Sequence, residues 1–487
     1  MKASSLLSAL RLPLGLCWGL FALLILPHFY HTPIATAAGP WYVAPSGADA
    51  NECRAPESPC ATVNGALDKP GFAPGDTILV ASGTYTSTAP TKPVICLDKD
   101  AALSGGWNAA FSAQSGESII SGAGENLFGV IVMPNVVASM DRFTLGGFSG
   151  LLANRAAPAW VSLASTSMVA SDGAFRGYPQ GGDQNLCQTG VTTAIYNHGT
   201  FTLTNSLVAG VSFGWGLFND GRFTLLDSQV GGNHYAGIAN YSGATMAVYR
   251  TRISGNFGVC AGISNHGNLI VVSSTVSHND TWFNAYGGGL CNRGQAVLVN
   301  TVVSHNLTQG SPEPGNEESG SGGGIYNISG TLSLFNSTIS RNGATRGGGI
   351  FNESAGTVTL SNTLVASNYS RTINRTPDCG GTLRSHGYNL LSQVEGCDWV
   401  PGAGDLLGVG AGVFPGLMGW PGYPPLPRTS PAVNAGNPEG CRGPEGELLL
   451  VDQRGVARDG RCDIGAYEYS PEHDPLFYAF APWIQRE

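Results

Sequence analysis

The sequence predicts an all-β chain wound as a right-handed parallel β-helix, a three-sheet β-solenoid with asparagine ladders, and three observations carry that reading. First, residues 322–342 (GGGIYNISGTLSLFNSTISRN) return 25 residues later as GGGIFNESAGTVTLSNTLVASN. Second, aligned on the first Asn, the unit recurs at Asn197, Asn219, Asn240, Asn265, Asn292, Asn327 and Asn352, at spacings of 21 to 35 residues. Third, three aliphatic stripes accompany those Asn residues. They are Ile195, Leu217, Ile238, Ile263, Leu290, Ile325, Ile350; Leu203, Leu225, Val248, Val271, Leu298, Leu334, Leu360; and Val208, Val230, Ile253, Val276, Val303, Ile339, Val365. All 21 positions are aliphatic while the residues between them vary. One unit is three short strands of period two separated by Gly and Asn turns, and it cannot bury its own apolar side chains. It must stack on its copies, each strand ~4.8 Å above the last. The hand follows from the crossover preference of parallel strands.

The Asn columns have a structural reason. A side-chain amide donates and accepts, so stacked Asn residues can bond to one another and to turn backbone. Asn also tolerates the left-handed conformation of a tight corner. The extra residues of the longer coils fall after the third Asn, at Asp280 to Tyr286 and Leu307 to Ser321, so long connections should leave from one corner.

Residues 1–38 read as a secretory signal peptide: Lys2 and Arg11, an apolar run from Leu12 to Leu26, then Ala35-Thr36-Ala37-Ala38. The run falls short of the ~20 residues of a membrane span, so no transmembrane helix is expected in the mature chain. Charged residues are 12% of the chain against a usual ~25%, and Gly, at 70 residues, is about twice its usual share. That composition suits a turn-rich solenoid with a Ser, Thr, Asn and Gly exterior. A net charge of −9 provides no basic footprint, so nucleic acid is excluded as a partner. Ten of the 11 Cys lie beyond the leader, an even number in an exported chain. Close spacing points to the disulfides Cys53–Cys60, Cys379–Cys397 and Cys441–Cys462, and leaves Cys96, Cys187, Cys260 and Cys291 without an assigned pairing. No spacing suits a zinc site, and neither metal nor cofactor is expected.

Residues 39–150 are read as an N-terminal cap with the first irregular coils, 151–400 as the regular coils, 401–470 as a C-terminal cap and 471–487 as a tail. The entry runs Trp41-Tyr42-Val43-Ala44-Pro45-Ser46-Gly47, a short helical stretch to Leu67, then Pro74-Gly75-Asp76-Thr77-Ile78-Leu79-Val80 and Gly83-Thr84-Tyr85. These segments resemble the start of secreted pectate-lyase-like β-helix proteins, where a helix covers the first coil. The GGGI units are similar to repeats of the polymorphic outer-membrane type. Ser430-Pro431-Ala432-Val433-Asn434-Ala435-Gly436, Asp452-Gln453-Arg454-Gly455-Val456-Ala457-Arg458 and Cys462-Asp463-Ile464-Gly465-Ala466-Tyr467-Glu468 resemble the signature of choice-of-anchor Q proteins. That resemblance implies a β-helix closed by a C-terminal cap on a bacterial secreted or surface protein, and it brings no catalytic residues. Asp452, Arg454, Arg458 and Asp463 read as a buried charge network that fixes the cap.

An enzyme acting on polysaccharide would need a cation-assisted base or paired carboxylates about 5 to 9.5 Å apart. The column beside the first Asn reads His198, Asp220, Tyr241, His266, Arg293, Ile328, Glu353, and that before the third Asn includes His278, His305 and Arg341; neither stacks two carboxylates. Asp227 above Arg250 reads as a salt bridge replacing a ladder step. Loop charges that could converge instead are Asp172, Arg176, Asp183, Asp280, Glu313, Glu317 and Glu318. Tyr196, Phe218, Tyr326 and Phe351 follow inward aliphatics, so alternation turns them outward on the first sheet. There they can stack on sugar rings or pack beneath the insertion loops. The reading is a monomeric, secreted or cell-surface protein, non-catalytic, whose repetitive face serves adhesion or contact with polysaccharide or cell-surface glycan. A polysaccharide lyase or glycoside hydrolase is the alternative.

Overall fold

The computed structural model describes residues 39–87, 92–121, 128–146, 148–149, 170–171, 193–209, 214–283, 285–310, 320–370, 378–458 and 460–474. Residues 1–38, expected as a leader, Asp172, Arg176, Asp183, Cys187, the insertion with Glu313, Glu317 and Glu318, and residues 475–487 lie outside them.

The chain is a right-handed parallel β-helix. Strands of successive coils pair in parallel with like residues in register: Leu217 on Ile238, Phe218 on Ala239, Asn219 on Asn240, and onward to Ile325 on Ile350 and Asn327 on Asn352. The 21 stripe residues are each at most 1% exposed, which fixes the register and places the core along the solenoid axis. The alternate positions of the second sheet stay half-open, as the strand Thr331–Phe335 shows, because period two sends them to solvent.

Both ladders predicted from the Asn columns are present. Asn197, Asn219, Asn240, Asn265, Asn292 and Asn327 each donate Nδ2 to the next Oδ1 at 2.7–2.8 Å, the last acceptor being Asn352. Asn233, Asn256, Asn279, Asn306, Asn342 and Asn368 do likewise at 2.7–2.9 Å. Asp378 ends that second chain by accepting from Asn368 at 2.9 Å. The middle corner works differently. Asn205, Asp227, Arg250, Ser273, Asn300, Asn336 and Asn362 all have φ between 45° and 51°, so Asn is used there mainly for its tolerance of left-handed backbone. Asp227 and Arg250 do form the expected ion pair, at 2.7 Å.

Two expectations need correction. Besides the three ribbons there is a fourth, made of Phe257–Gly258, Asp280–Phe283, Leu307–Gln309, Gly343–Ala344 and Tyr369–Ser370. The long connections leave after the third Asn, and the ladder there holds them in register long enough to pair. Second, residues 411–474, read as the larger part of the C-terminal cap, reach well beyond the last coil. They fold back along the outside of the third sheet: Val413 O accepts from Arg341 Nη2 at 3.1 Å, Gly419 O from Arg252 Nη2 at 2.9 Å, and Gln453 Nε2 reaches Ser274 O at 3.0 Å. The reason is apolar residues on the outer positions of the later third-sheet strands. Leu364 and Leu390 are fully buried against Val413, Leu426, Ile464 and Tyr467.

That lobe is pinned by charge. Arg454 bridges Asp452 at 2.8 Å and Asp474 at 2.9 Å, and Arg458 bridges Glu468 at 2.9 Å. The four carboxylates Asp452, Asp463, Glu468 and Asp474 are at most 5% exposed. Disulfides join Cys53–Cys60, Cys379–Cys397 and Cys441–Cys462, and also Cys260–Cys291. At the other end, Thr62 caps the helix Val63–Leu67 by accepting from Gly65 N, and Val63, Ala66 and Leu67 turn onto the first coil. Among the described residues no helix is long and apolar enough to cross a membrane.

Candidate functional site

The outer face of the first sheet carries a column of aromatic side chains flanked by ionisable ones. In its first outward column, Tyr196, Phe218, Ala239, Ser264, Cys291, Tyr326 and Phe351 lie in register. The four aromatics point away from the core, as alternation requires, but are not open platforms: Tyr196 is 7% exposed, Phe218 3%, Tyr326 7% and Phe351 5%. They cover one another. Tyr196 stacks on Phe218 with centroids 4.9 Å apart, Tyr286 on Tyr326 at 4.8 Å, and Tyr326 on Phe351 at 5.8 Å. Arg346 lies over the Phe351 ring at 4.7 Å. Small Ala239, Ser264 and Cys291 separate the two stacks, and the Cys260–Cys291 bridge sits between them.

Rings that the column pattern alone did not single out extend this surface. Trp215 meets Phe218 at 5.2 Å and Tyr235 at 5.4 Å. Tyr235 and Phe257 both meet Trp282, at 5.4 and 5.9 Å. Tyr235, Phe257 and Trp282 each lie one to three residues past an Asn of the third column, so alignment on Asn233, Asn256 and Asn279 contains the signal. On the other side Tyr241 meets Phe218 at 5.8 Å and His266 at 6.2 Å and is 37% exposed. The result is a continuous aromatic band running from the first-sheet corner across several coils.

Polar groups flank the band. His198 Nδ1 is 3.2 Å from Asp220 Oδ2, and the imidazole lies 4.1 Å from the Tyr196 ring. Burial lowers the His198 pKa against the opposing pull of Asp220. Burial also lowers that of His266, helped by the Arg293 charge. Tyr196 is raised, first by burial and then by Asp220, and Tyr326 by burial and by its 2.5 Å hydrogen bond to Glu353. Both phenols therefore stay protonated through the physiological range.

The other columns are committed to structure. His278 and His305 stack at 4.8 Å, but His305 spans Ser304 Oγ and Pro415 O at 2.8 Å each and so holds the returning lobe. Of the loop charges considered for catalysis, Asp280 accepts from Gln309 at 3.1–3.2 Å, and the other six lie outside the described residues. A polar cleft beside the N-terminal helix, about 370 Å³ and lined by Asp49, Thr62, Asn64 and Lys69, is likewise spoken for. Asp49 accepts from Ala61 N, Thr62 N and Thr62 Oγ1, tying the helix start to the first turn. Among the described residues, no three His, Cys, Asp or Glu side chains gather as metal ligands would.

No family model matches the chain, and no curated protein does. Among solved structures it is similar to pectate lyase Pel9A, at 12% identity over 89% of this chain and 97% of that one, with a TM-score of 0.44. It is also similar to XylC in complex with xylose, at 10% identity over 88% and 98% of the two chains, TM-score 0.36. A rhamnogalacturonan lyase aligns at 12% identity over 90% and 98%, TM-score 0.27. Likenesses this distant say nothing of what this chain binds or does.

Proposed function

We propose that this is a secreted or cell-surface β-helix protein that presents the outer face of its first sheet for adhesion to glycan, without chemistry of its own. The observation that carries the reading is the aromatic band, in which partly open Trp215, Tyr235, Tyr241, Phe257 and Trp282 adjoin polar His198, Asp220, His266 and Arg293. Sugar rings present an apolar C–H face and a hydroxyl edge, and a strip of aromatics beside polar side chains complements both. Of the four aromatics first singled out, Tyr196 and Phe218 serve as the packed floor of that strip, and Tyr326 and Phe351 form a second stack further along the same column. The leader expected at 1–38, the four disulfides among the described residues and the choice-of-anchor Q-like segments of the C-terminal lobe fit export and surface display, with the chain a monomer.

Measured together on the secreted protein, a glycan array and assays for reducing ends and unsaturated products test this reading. Binding without turnover is the expected outcome. Release of unsaturated or reducing ends from polygalacturonate or alginate would replace it with the lyase or hydrolase reading.

A further inference from the structure

We infer that the loop 419–422 and the Asp227–Arg250 ion pair form a second glycan subsite, with the Trp420 indole as the platform and the ion pair as the hydroxyl-binding edge. It lies at the corner between the second and third sheets rather than on the first-sheet face, so it stands or falls independently of the aromatic band.

The platform is held rigidly. Met418 N donates to Tyr423 O at 2.9 Å and Tyr423 N to Met418 O at 3.0 Å, which makes Gly419-Trp420-Pro421-Gly422 the tip of a hairpin. The tip's carbonyls accept from side chains of the solenoid and lobe. Arg252 donates Nη2 to Gly419 O at 2.9 Å and Nε to Pro421 O at 2.5 Å. Buried Thr275 and Gln453 both donate to Gly422 O, Gln453 at 3.2 Å. The indole itself donates Nε1 to Arg250 O at 3.1 Å. A tip fixed by these five bonds nonetheless leaves Trp420 46% exposed. The Arg252 guanidinium lies over the ring at 5.2 Å, and no other ring or cation among the described residues meets it. With one side taken by Arg252 and nearly half the residue in water, the opposite side is the exposed one. A lone exposed aromatic needs no explanation. One held this firmly is preorganised, so a ligand that stacks on it pays little for ordering the protein.

The polar edge adjoins it, because the carbonyl that holds the indole belongs to Arg250. Asp227 and Arg250 occupy consecutive coils of the middle corner and bond twice, Nε to Oδ1 and Nη2 to Oδ2, at 2.7 Å each. Their side chains are 39% and 52% exposed, and a pair so open contributes little to stability. A guanidinium has five N–H donors and a carboxylate about four acceptor positions, so donors and acceptors remain side by side on the solvent edge of the pair. Neighbouring hydroxyls of one sugar ring ask for that combination. A pyranose with equatorial hydroxyls, as in a β-linked glucan or xylan, can lay its axial C–H groups on the indole and turn its hydroxyl edge to the pair. An apolar peptide side chain would use the ring and leave those polar groups unused.

The test is fluorine NMR on the full-length secreted protein labelled with fluorotryptophan, titrated with cellohexaose and with xylohexaose. The Trp420 signal is the one lost in Trp420→Phe, and those of Trp215 and Trp282 are assigned in the same way. Trp420 is expected to shift saturably with at least one of the two sugars. Asp227→Asn combined with Arg250→Asn installs the residue that the same corner uses at Asn205, Asn300 and Asn336. The pair of substitutions should therefore change the melting temperature little and weaken the Trp420 response at least tenfold. A Trp420 signal silent to both sugars while Trp215 and Trp282 respond would overturn this subsite and leave the band. A Trp420 response with Trp215 and Trp282 silent would support the subsite and count against the band. A response that the paired Asn substitutions leave unchanged would overturn the inference. So would a Trp420 signal that moves on dilution but not with sugar, which would assign the loop to contact between copies. Silence of all three signals would overturn both readings.

Discussion

The first and third sheets close their outer faces in opposite ways. On the third sheet the outward column runs Leu207, Gln229, Arg252, Thr275, Val302, Thr338, Leu364, Leu390, and Val302, Leu364 and Leu390 in its later coils are fully buried. The lobe of residues 411–474 returns to cover them, held by ion pairs whose side chains are at most 8% exposed. On the first sheet the outward aromatics are covered by their own neighbours in adjacent coils, at centroid distances of 4.8–5.8 Å. The flanking column remains open, with Tyr241 37% exposed and Arg293 at the surface. A face closed by a distant segment is spent on stability. A face closed by side-chain stacking keeps an edge free to meet a ligand.

Substitutions can break this contrast. The largest effect is expected at the interior that both sheets share: Leu334→Asp buries a charge where the side chain is 0% exposed, and should prevent folding to a cooperative melt. A variant that melts like the parent would refute the register. Next comes Arg458→Ala, which strands Glu468 beneath the lobe. A cost of about 3–5 kcal/mol is expected, confined to the lobe and read as faster amide exchange at 411–474 than in the ladder coils. Uniform loss across the chain would mean that lobe and solenoid unfold as one.

Protons should sharpen the difference. Burial raises Asp463 to about 6, and burial with the neighbouring Asp463 charge raises Glu468 to about 7. Each binds its proton more tightly folded than unfolded, so the stability involved is complete below the ordinary carboxylate range near pH 4 and is lost as pH rises through 6 to 7. Loosening of the lobe between pH 5 and 8 is expected to reach roughly 2–4 kcal/mol. The lowered histidines of the first-sheet face and lobe contact, His198, His266, His278 and His305, act with the opposite sign. Their contribution is present above pH 6.5 and fades as pH falls through their folded values. Amide exchange in the lobe, compared between the parent and Glu468→Gln, separates the two. A parent lobe whose exchange-derived stability is the same at pH 5 and pH 8 would rule out the proton effect.

The solenoid was legible because its causes repeat. A column such as Leu203 to Leu360 states one physical requirement seven times, and each Asn of the first column states its own. The charge network around Asp452 and Arg458 was legible too, since charges so close in a low-charge chain call for partners. What escaped notice depends on contacts between segments distant in sequence. Leu364 and Leu390 are apolar at outward positions, a sign that something covers them, but nothing local says that Ile464 and Tyr467 do so. The pairing of Cys260 with Cys291 was hidden for the same reason, as its two ends belong to adjacent coils rather than one short loop. The His198–Asp220 pair lay in plain view as neighbours in a column; a search for two carboxylates passed over a carboxylate beneath an imidazole.

The smallest effect on stability is the one that separates the faces most cleanly. Truncating Leu364 beneath the lobe removes a fully buried side chain and leaves a cavity, at an expected cost of about 2–5 kcal/mol. Truncating Tyr241 removes a larger side chain, but one already 37% exposed, whose ring meets Phe218 and His266. Its loss should shift stability by no more than about 0.5 kcal/mol, as for other surface positions. Glycan affinity should respond in reverse order, with Leu364→Ala binding like the parent under conditions where its lobe is folded and Tyr241→Ala losing most of its affinity, since stacking on an aromatic face is the contact removed. Melting curves and titrations on the same two preparations decide the matter. If Tyr241→Ala proved as destabilising as Leu364→Ala, the first-sheet band would be a second buried core, and its open edge would have no claim to a ligand.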